Sequence, residues 1–184
     1  RLGSADPDNC TLELARDSSL DVSYVDRRNP ADTASATGLV DPFGVVFDST
    51  SGEPLDGMRV RLLDSAGRPA VVFGDDGVSR YPAEMITGQP VTDAGGTTYR
   101  LPRGVYRFPL VASGSYRLVV EPAEGHVFPS GASSAELQRL PGAPYRLGEG
   151  SFGRAFVVAA PVITAVDVPL DPQGSALSLR KSAS

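Results

Sequence analysis

The sequence is poor in the residue types from which most catalytic and metal sites are built. Its 184 residues include one cysteine, one histidine, one lysine and no tryptophan. Cys10 alone cannot close a disulfide within the chain, so we expect a half-buried thiol, with an intermolecular bridge as the alternative. Any Ser-His-Asp catalysis would have to use His126, and no Gly-x-Ser-x-Gly nucleophile elbow accompanies it. We therefore expect a packing role for His126 and no enzymatic activity.

Long apolar runs and clustered positive charge are lacking as well. No run of eighteen apolar residues occurs, which predicts that this segment does not insert into a membrane. Acidic residues outnumber basic ones by 22 to 17, which argues against nucleic-acid or anionic-membrane partners. The sequence shows no signal peptide, and we expect it to be a piece of a longer chain.

Glycine and proline are abundant, with 20 and 16 residues, and they stand at the ends of short alternating segments. In residues 58–62 Met58, Val60 and Leu62 alternate with two arginines, and residues 116–120 repeat the alternation. Successive side chains of a strand point to opposite faces, so one face of each segment is expected to enter a core. This pattern predicts an all-β protein, built as an antiparallel sandwich.

The remaining segments predict the flanks and excursions of that sandwich. Short strands are expected at 11–14 and 20–25, a turn at 64–67, and a long loop or inserted hairpin at 70–90. Ser133 and Glu136 have the spacing of a capping box, which predicts one short helix. The last core strand is expected to run from Ala155 to Val168 and to end before Pro169.

Three regions follow from these assignments. Residues 1–37 are predicted to be an N-terminal linker with flanking strands, and residues 38–172 the sandwich domain. Residues 173–184 are predicted to be a linker or the start of a following domain.

The order of the glycine and turn motifs resembles a family of surface-protein modules. The motifs are Gly44–Asp48, Gly52–Gly57, Val60–Leu62, Thr92–Gly96, Gly114–Pro122 and Glu124–Gly125. Together they resemble the B-type domain of serine-aspartate repeat surface proteins, and the related carboxypeptidase regulatory-like and collagen-adhesin B-type modules. The resemblance covers about 44–130, extends to 170, and departs at the 70–90 insertion and at Gly95-Gly96. It implies a transthyretin-like (prealbumin-like) fold, and residues 176–184 resemble the opening strand of a repeat domain in large bacterial surface proteins.

The resemblance also raises two kinds of chemistry. Collagen-adhesin modules can carry a lysine–asparagine isopeptide bond, but the only lysine here is Lys181, beyond the predicted sandwich. Serine-aspartate B-type domains bind calcium, and the candidate ligands are Asp48, Asp75, Asp76 and Asp93, with Asp56 behind them. None of these forms an EF-hand loop, and acidic-glycine stretches more often close turns. We expect no other cofactor.

The resemblance and the absences together predict a non-enzymatic spacer or stalk domain on a bacterial cell surface. Its expected partners are neighbouring domains of the same chain or further copies of itself. One alternative is a subunit of an extracellular filament that assembles by strand exchange, with 11–25 and 175–184 as donor segments. A second alternative is a carbohydrate- or protein-binding adhesin, whose binding face would use Tyr81, Tyr99, Tyr106, Tyr116 and Tyr145, although strand tyrosines more often lie in the core.

Overall fold

A computed structural model describes residues 41–123, 125–159 and 164–173, together with the backbone of four short strands nearer the N terminus. Those strands pair as two hairpins, β1 (Ala5–Asp6) with β2 (Thr11–Leu12) and β3 (Ser23–Val25) with β4 (Thr33–Ser35). β2 and β3 coincide with parts of the strands expected at 11–14 and 20–25. Cys10, the rest of those two segments and the donor segment 175–184 lie outside the described residues.

The remaining strands build a sandwich of two four-stranded sheets and two small hairpins. The strands are β5 (Phe43–Asp48), β6 (Arg59–Asp64), β7 (Val72–Phe73), β8 (Arg80–Tyr81), β9 (Glu84–Ile86), β10 (Val91–Thr92), β11 (Thr98–Tyr99), β12 (Val105–Arg107), β13 (Gly114–Glu121), β14 (His126–Val127), β15 (Ala155–Val158) and β16 (Val168–Pro172). The first sheet has the order β12-β5-β16-β14, and the second has the order β15-β13-β6-β9.

This arrangement confirms the prediction of an all-β sandwich with one short α-helix. Among the described strands every pair is antiparallel except β5 with β16, which are parallel. No helix in the described part of the chain has both the length and the apolar character needed to cross a membrane.

The core lies between the sheets and follows the predicted alternation. Val60 and Leu62 of β6 are buried opposite Leu118 and Val120 of β13, and the arginines that alternate with Val60 and Leu62 face outward. Burying an aliphatic side chain of this size stabilises the fold by roughly 1.5–3 kcal/mol before entropy is subtracted. Hydrophobic alternation therefore sets the register of the second sheet.

The inserted segment and the turn that were predicted between the core strands are both present. The 70–90 insertion forms the hairpin β7–β8 and then supplies β9, which pairs with β6 in the second sheet. The turn at 64–67 is closed by a hydrogen bond from the Gly67 N–H to the Asp64 carbonyl, and Gly67 has a φ of 77° that suits glycine. The insertion is thus a hairpin joined to the core rather than a free loop.

The segment between β14 and β15, residues 128–154, covers the outer face of the first sheet, and we call it the excursion. It contains helix α1 (Ser134–Leu137), and the predicted capping box between Ser133 and Glu136 is present. Leu137 is buried there beside Phe47 of β5, whose ring stacks on that of Tyr145 at 3.9 Å between centroids. A short 3-10 helix, Glu149–Phe152, follows. The excursion therefore gives β5 a second apolar layer on its outer side.

The prediction of one final strand from Ala155 to Val168 was wrong. Ala155–Val158 forms β15 of the second sheet, whereas β16 begins at Val168 in the first sheet and includes Pro169. In this segment the N–H groups of odd-numbered residues point away from β5, and that of Asp167, for example, donates to the Arg146 carbonyl. Pro169 is odd-numbered, so its missing N–H costs no hydrogen bond to β5. On that side β14 reaches only Asp171 and Pro172, so no donor is needed at Pro169.

Candidate functional site

The parallel pair of β5 and β16 determines where the chain enters and leaves the sandwich. Phe43 pairs with Ala165, and the same register continues to the pairing of Asp48 with Leu170. We call the Phe43 end the incoming end and the Gln173 end the outgoing end. Gln173 lies eight residue steps after Ala165, so at about 3.3 Å per step the two ends lie roughly 26 Å apart. The chain thus traverses the sandwich from end to end.

Hydrogen bonds join β5 to β16 along most of this length. The Phe43 N–H donates to the Thr164 carbonyl at 3.2 Å, and the Ser49 N–H donates to the Leu170 carbonyl at 2.9 Å. Between them the regular parallel pattern would send the Val45 N–H to the Val166 carbonyl. It donates instead to Oδ1 of Asp167 at 3.0 Å. We call β5, β16 and the Asp167 carboxylate the β5–β16 seam.

The Val166 carbonyl is turned out of the ladder because two neighbours hold it. The Tyr106 hydroxyl donates to it from the core, and Gly44 lies directly against it. A Cβ on Gly44 would be 1.9 Å from this oxygen, so only glycine fits here. Burial raises the pKa of Tyr106 well above its usual value, which keeps the hydroxyl protonated as a donor.

Asp167 compensates for the turned carbonyl and also ties in the outer excursion. It is 6% exposed, and its second oxygen accepts from the Arg146 N–H at 2.7 Å. A buried carboxylate needs such donors, because a charge taken out of water without partners is costly. One side chain therefore joins β5, β16 and the excursion.

An arginine fastens the incoming end. Arg107 on β12 donates to Asp41, just before β5, at 2.7 Å and to Asp75 in the inserted hairpin at 2.7 and 3.1 Å. Burial raises the pKa of Asp41, and the bonds from Arg107 lower it by less. Burial lowers the pKa of Arg107, but its bonds to the two aspartates outweigh this and raise it. The guanidinium stays charged and holds the incoming segment to the sandwich.

Two aspartates fasten the outgoing end. Asp171 of β16 accepts from the hydroxyl of Ser49 at 2.6 Å, from that of Ser130, and from the Gly131 N–H at 2.7 Å. Burial raises the pKa of Asp171, but these hydrogen bonds lower it further than burial raises it. They link the last residues of β16 to the end of β5 and to the excursion.

Asp48, a predicted calcium ligand, lies at the same outgoing end. Its Oδ1 accepts from the N–H groups of Thr50 and Ser51, both at 2.8 Å, and Oδ2 is 3.2 Å from Nε2 of His126. Burial raises the pKa of Asp48, but the hydrogen bond from the Thr50 hydroxyl, together with these bonds, brings it well below the ordinary value. Both oxygens are therefore engaged in closing the turn after β5 and in the contact with β14.

The other three predicted ligands gather at the opposite end, around Gly74. A Cβ at Gly74 would lie 2.6 Å from an oxygen of Asp93 and 3.5 Å from one of Asp76. Asp76 accepts from both the N–H and the hydroxyl of Ser79, and Asp93 from Gly95, Thr97 and Tyr99. The bonds from Ser79 lower the pKa of Asp76, and Asp75 is paired with Arg107.

These positions separate Asp48 from the other three candidates. Each of the four carboxylates is used by its own turn or ion pair. In the described ranges no group of three or more His, Cys, Asp or Glu side chains is arranged to hold a metal ion. Calcium binding by these aspartates stays a prediction. Asp41, Asp167 and Asp171 were not predicted from the sequence as functional residues, although each lies next to or within β5 or β16.

The solved structures that resemble this chain include two pilus proteins. The backbone protein of group B streptococcus pilus 2b aligns with a TM-score of 0.43 and 15% identity, over 94% of this chain and 53% of that one. The shaft pilin SpaA of Lactobacillus rhamnosus GG aligns with a TM-score of 0.42 and 15% identity, over 77% of this chain and 48% of that one. The chain spans about half the length of these proteins. No family model and no curated protein matches the chain.

Proposed function

We propose that this domain is a non-enzymatic spacer in a bacterial cell-surface protein. The observation that carries the proposal is the position of the chain ends, with the incoming segment at Asp41 and the outgoing segment at Gln173 on opposite ends of the sandwich. A domain with this arrangement holds its neighbours apart along one axis. Its partners are then the neighbouring domains of the same chain.

The seam suits this role because tension between the ends would load it in shear. When parallel strands are pulled from the start of one and the end of the other, all hydrogen bonds between them resist together. When the strands are peeled from one end, each bond breaks in turn. The bonds from Phe43 to Ser49, with the Asp167 carboxylate in the middle, are placed to act together.

A location outside the cell rests on the resemblance of residues 44–130 to surface-protein modules. The adhesin alternative has less support. Its five candidate tyrosines are all buried, with at most 9% exposure, so they do not form an exposed aromatic face. They pack in the core, in the inserted hairpin and against Phe47 instead. The filament alternative is favoured by the edge of β15, which no described strand covers.

Single-molecule stretching of the full chain between handles at its two ends tests the spacer function. We expect the sandwich to stay folded as tension rises and then to open in one main step. Unfolding residues 43–173 would release roughly 420 Å of chain, at 3.3–3.6 Å per residue less the folded span. Gradual lengthening at low force, without a step of this size, would contradict the proposal.

A further inference from the structure

Strand β15 presents the one long sheet edge that no described strand covers. It stands last in the second sheet. At the opposite margin the sheets meet, since the Arg107 N–H of β12 lies 3.4 Å from the sulfur of Met85 in β9. The remaining edge strand, β14, is two residues long. An uncovered edge strand offers unpaired backbone groups to another chain.

The register identifies the groups that point outward from β15. The Leu62 N–H donates to the Ala83 carbonyl, so even-numbered residues of β6 bond towards β9 and odd-numbered ones towards β13. In β13 the even-numbered residues then bond towards β15, where Tyr116 stands opposite Phe156. Val157 therefore directs its N–H and C=O to the free edge. No described residue bonds to either group.

The side chains of this edge are apolar. Val157 is 70% exposed, and Phe156, which faces the core side, is only half-buried. We propose that residues 174–184 of a second copy of this chain add to β15 as a further antiparallel strand. The proposal deepens the spacer function and rests on it, because it assumes that the two copies are stacked end to end.

The composition of residues 174–184 fits this edge. Leu177 and Leu179 alternate with Ser178 and Arg180, so one face of an added strand would extend the core beside Phe156 and the other would face water. Eleven extended residues span about 36 Å, which is ample for a four-residue strand and the approach to it.

Charge favours the same occupant. The segment carries Arg180 and Lys181 and no acidic residue, whereas residues 41–173 carry fifteen acidic and eleven basic side chains. A positive segment is thus attracted to an acidic body.

The direction of β15 favours a second copy over the domain's own segment. β12 ends at the incoming end, where Arg107 pairs with Phe43, and β13 begins from there. Because β15 is antiparallel to β13, it runs towards the incoming end. A copy stacked end to end would present its outgoing end there, and its residues 174–184 would run antiparallel to β15. The domain's own segment would approach from the outgoing end and run parallel to β15. Antiparallel pairing is the more stable and continues the pattern of this sheet.

Measuring molar mass in solution at high protein concentration tests the proposal. We expect the full chain to form species larger than a monomer, and V157P to be monomeric because proline removes the outward donor without breaking a bond to β13. The matched control V157T keeps the donor and a β-branched side chain, and should associate like the parent. A monomeric full chain, or V157P associating like the parent, would overturn the proposal.

A further variant distinguishes the loss of the β15 edge from misfolding of V157P. The double variant L177D/L179D changes only the donor segment, outside the sandwich, and should also be monomeric. In a mixture of the two, L177D/L179D supplies an intact β15 edge and V157P supplies an intact donor segment. The mixture should therefore yield dimers and nothing larger. A mixture that stays monomeric, while V157P is folded by circular dichroism, would show that the edge and the donor are not complementary. The stretching experiment on single chains does not depend on these outcomes, so the spacer function can stand or fall separately.

Discussion

At the scale of single residues, Asp167 contributes a hydrogen bond that the β5–β16 ladder lacks. Its two oxygens accept from the Val45 and Arg146 N–H groups. In D167N one acceptor becomes a donor that faces an N–H group, so the free energy of unfolding should fall by about 1–3 kcal/mol. Urea denaturation of D167N beside E149Q measures this.

Glu149 is a suitable control because its ion pair with Arg154 is on the surface, where such pairs contribute little. E149Q should therefore unfold at nearly the parent midpoint. Equal midpoints for the two variants would show that Asp167 does not strengthen the seam.

A second prediction at this scale concerns Gly44, where glycine is needed because a neighbouring group is too close for a side chain, and not because of the backbone conformation. The Cβ of G44A would overlap the Val166 carbonyl, so the seam would have to open and stability should fall by more than ~2 kcal/mol. In the control variant G148A the added Cβ meets no atom within 4 Å. Thermal unfolding of both variants checks the difference. Similar melting temperatures would contradict the close approach of β5 to Val166.

At the scale of strands, the carboxylates at the outgoing end predict how stability depends on pH. The pKa values of Asp48 and Asp171 are lowered in the folded state, because their hydrogen bonds outweigh burial. Their contribution is fully present above the unfolded aspartate pKa of about 4, and is lost as pH falls through the lowered values. Urea midpoints measured from neutral pH down into acid should therefore fall, and more gently in D48N. A D48N curve parallel to that of the parent would argue against Asp48 as a source of this dependence.

The strands also show which parts of the fold could be predicted from the sequence. β6 and β13 were predicted because their apolar and polar residues alternate, and the helix because Ser133 and Glu136 have capping-box spacing. β16 was missed because it holds two prolines and because its partner β5 lies 122 positions earlier in the chain. Long-range parallel pairing leaves no local pattern.

The candidate site was harder to predict for a related reason. Asp48, Asp75, Asp76 and Asp93 stand in acidic or glycine-rich stretches, which draw attention to turns and metal ligands. Asp167 gains its importance from N–H groups brought from Val45 and Arg146, which are distant in the chain. The only local signal was an acidic residue next to a strand.

At the scale of the whole molecule, the parallel seam makes the domain a strut with a defined length. Labels at A165C, which pairs with Phe43 at the incoming end, and at Q173C, in a chain with C10S, should report a separation near the roughly 26 Å expected from the strand rise. The separation should be narrowly distributed, because Arg107 and Asp171 fasten the two ends. Electron spin resonance distance measurements check this. A broad or much shorter distribution would show that the ends are not held apart.

The measurement that tests the seam most directly compares two directions of pulling on one chain. In the first, handles at the N terminus and at Q173C load the seam in shear. In the second, handles at the N terminus and at A112C, an exposed residue just before β13 at the incoming end, peel β5 from β12. Both chains carry C10S. We predict a clearly higher unfolding force through Gln173 than through Ala112, and a loss of that difference in D167N. Equal forces in the two directions would contradict the account of β5 and β16 as the path that carries tension.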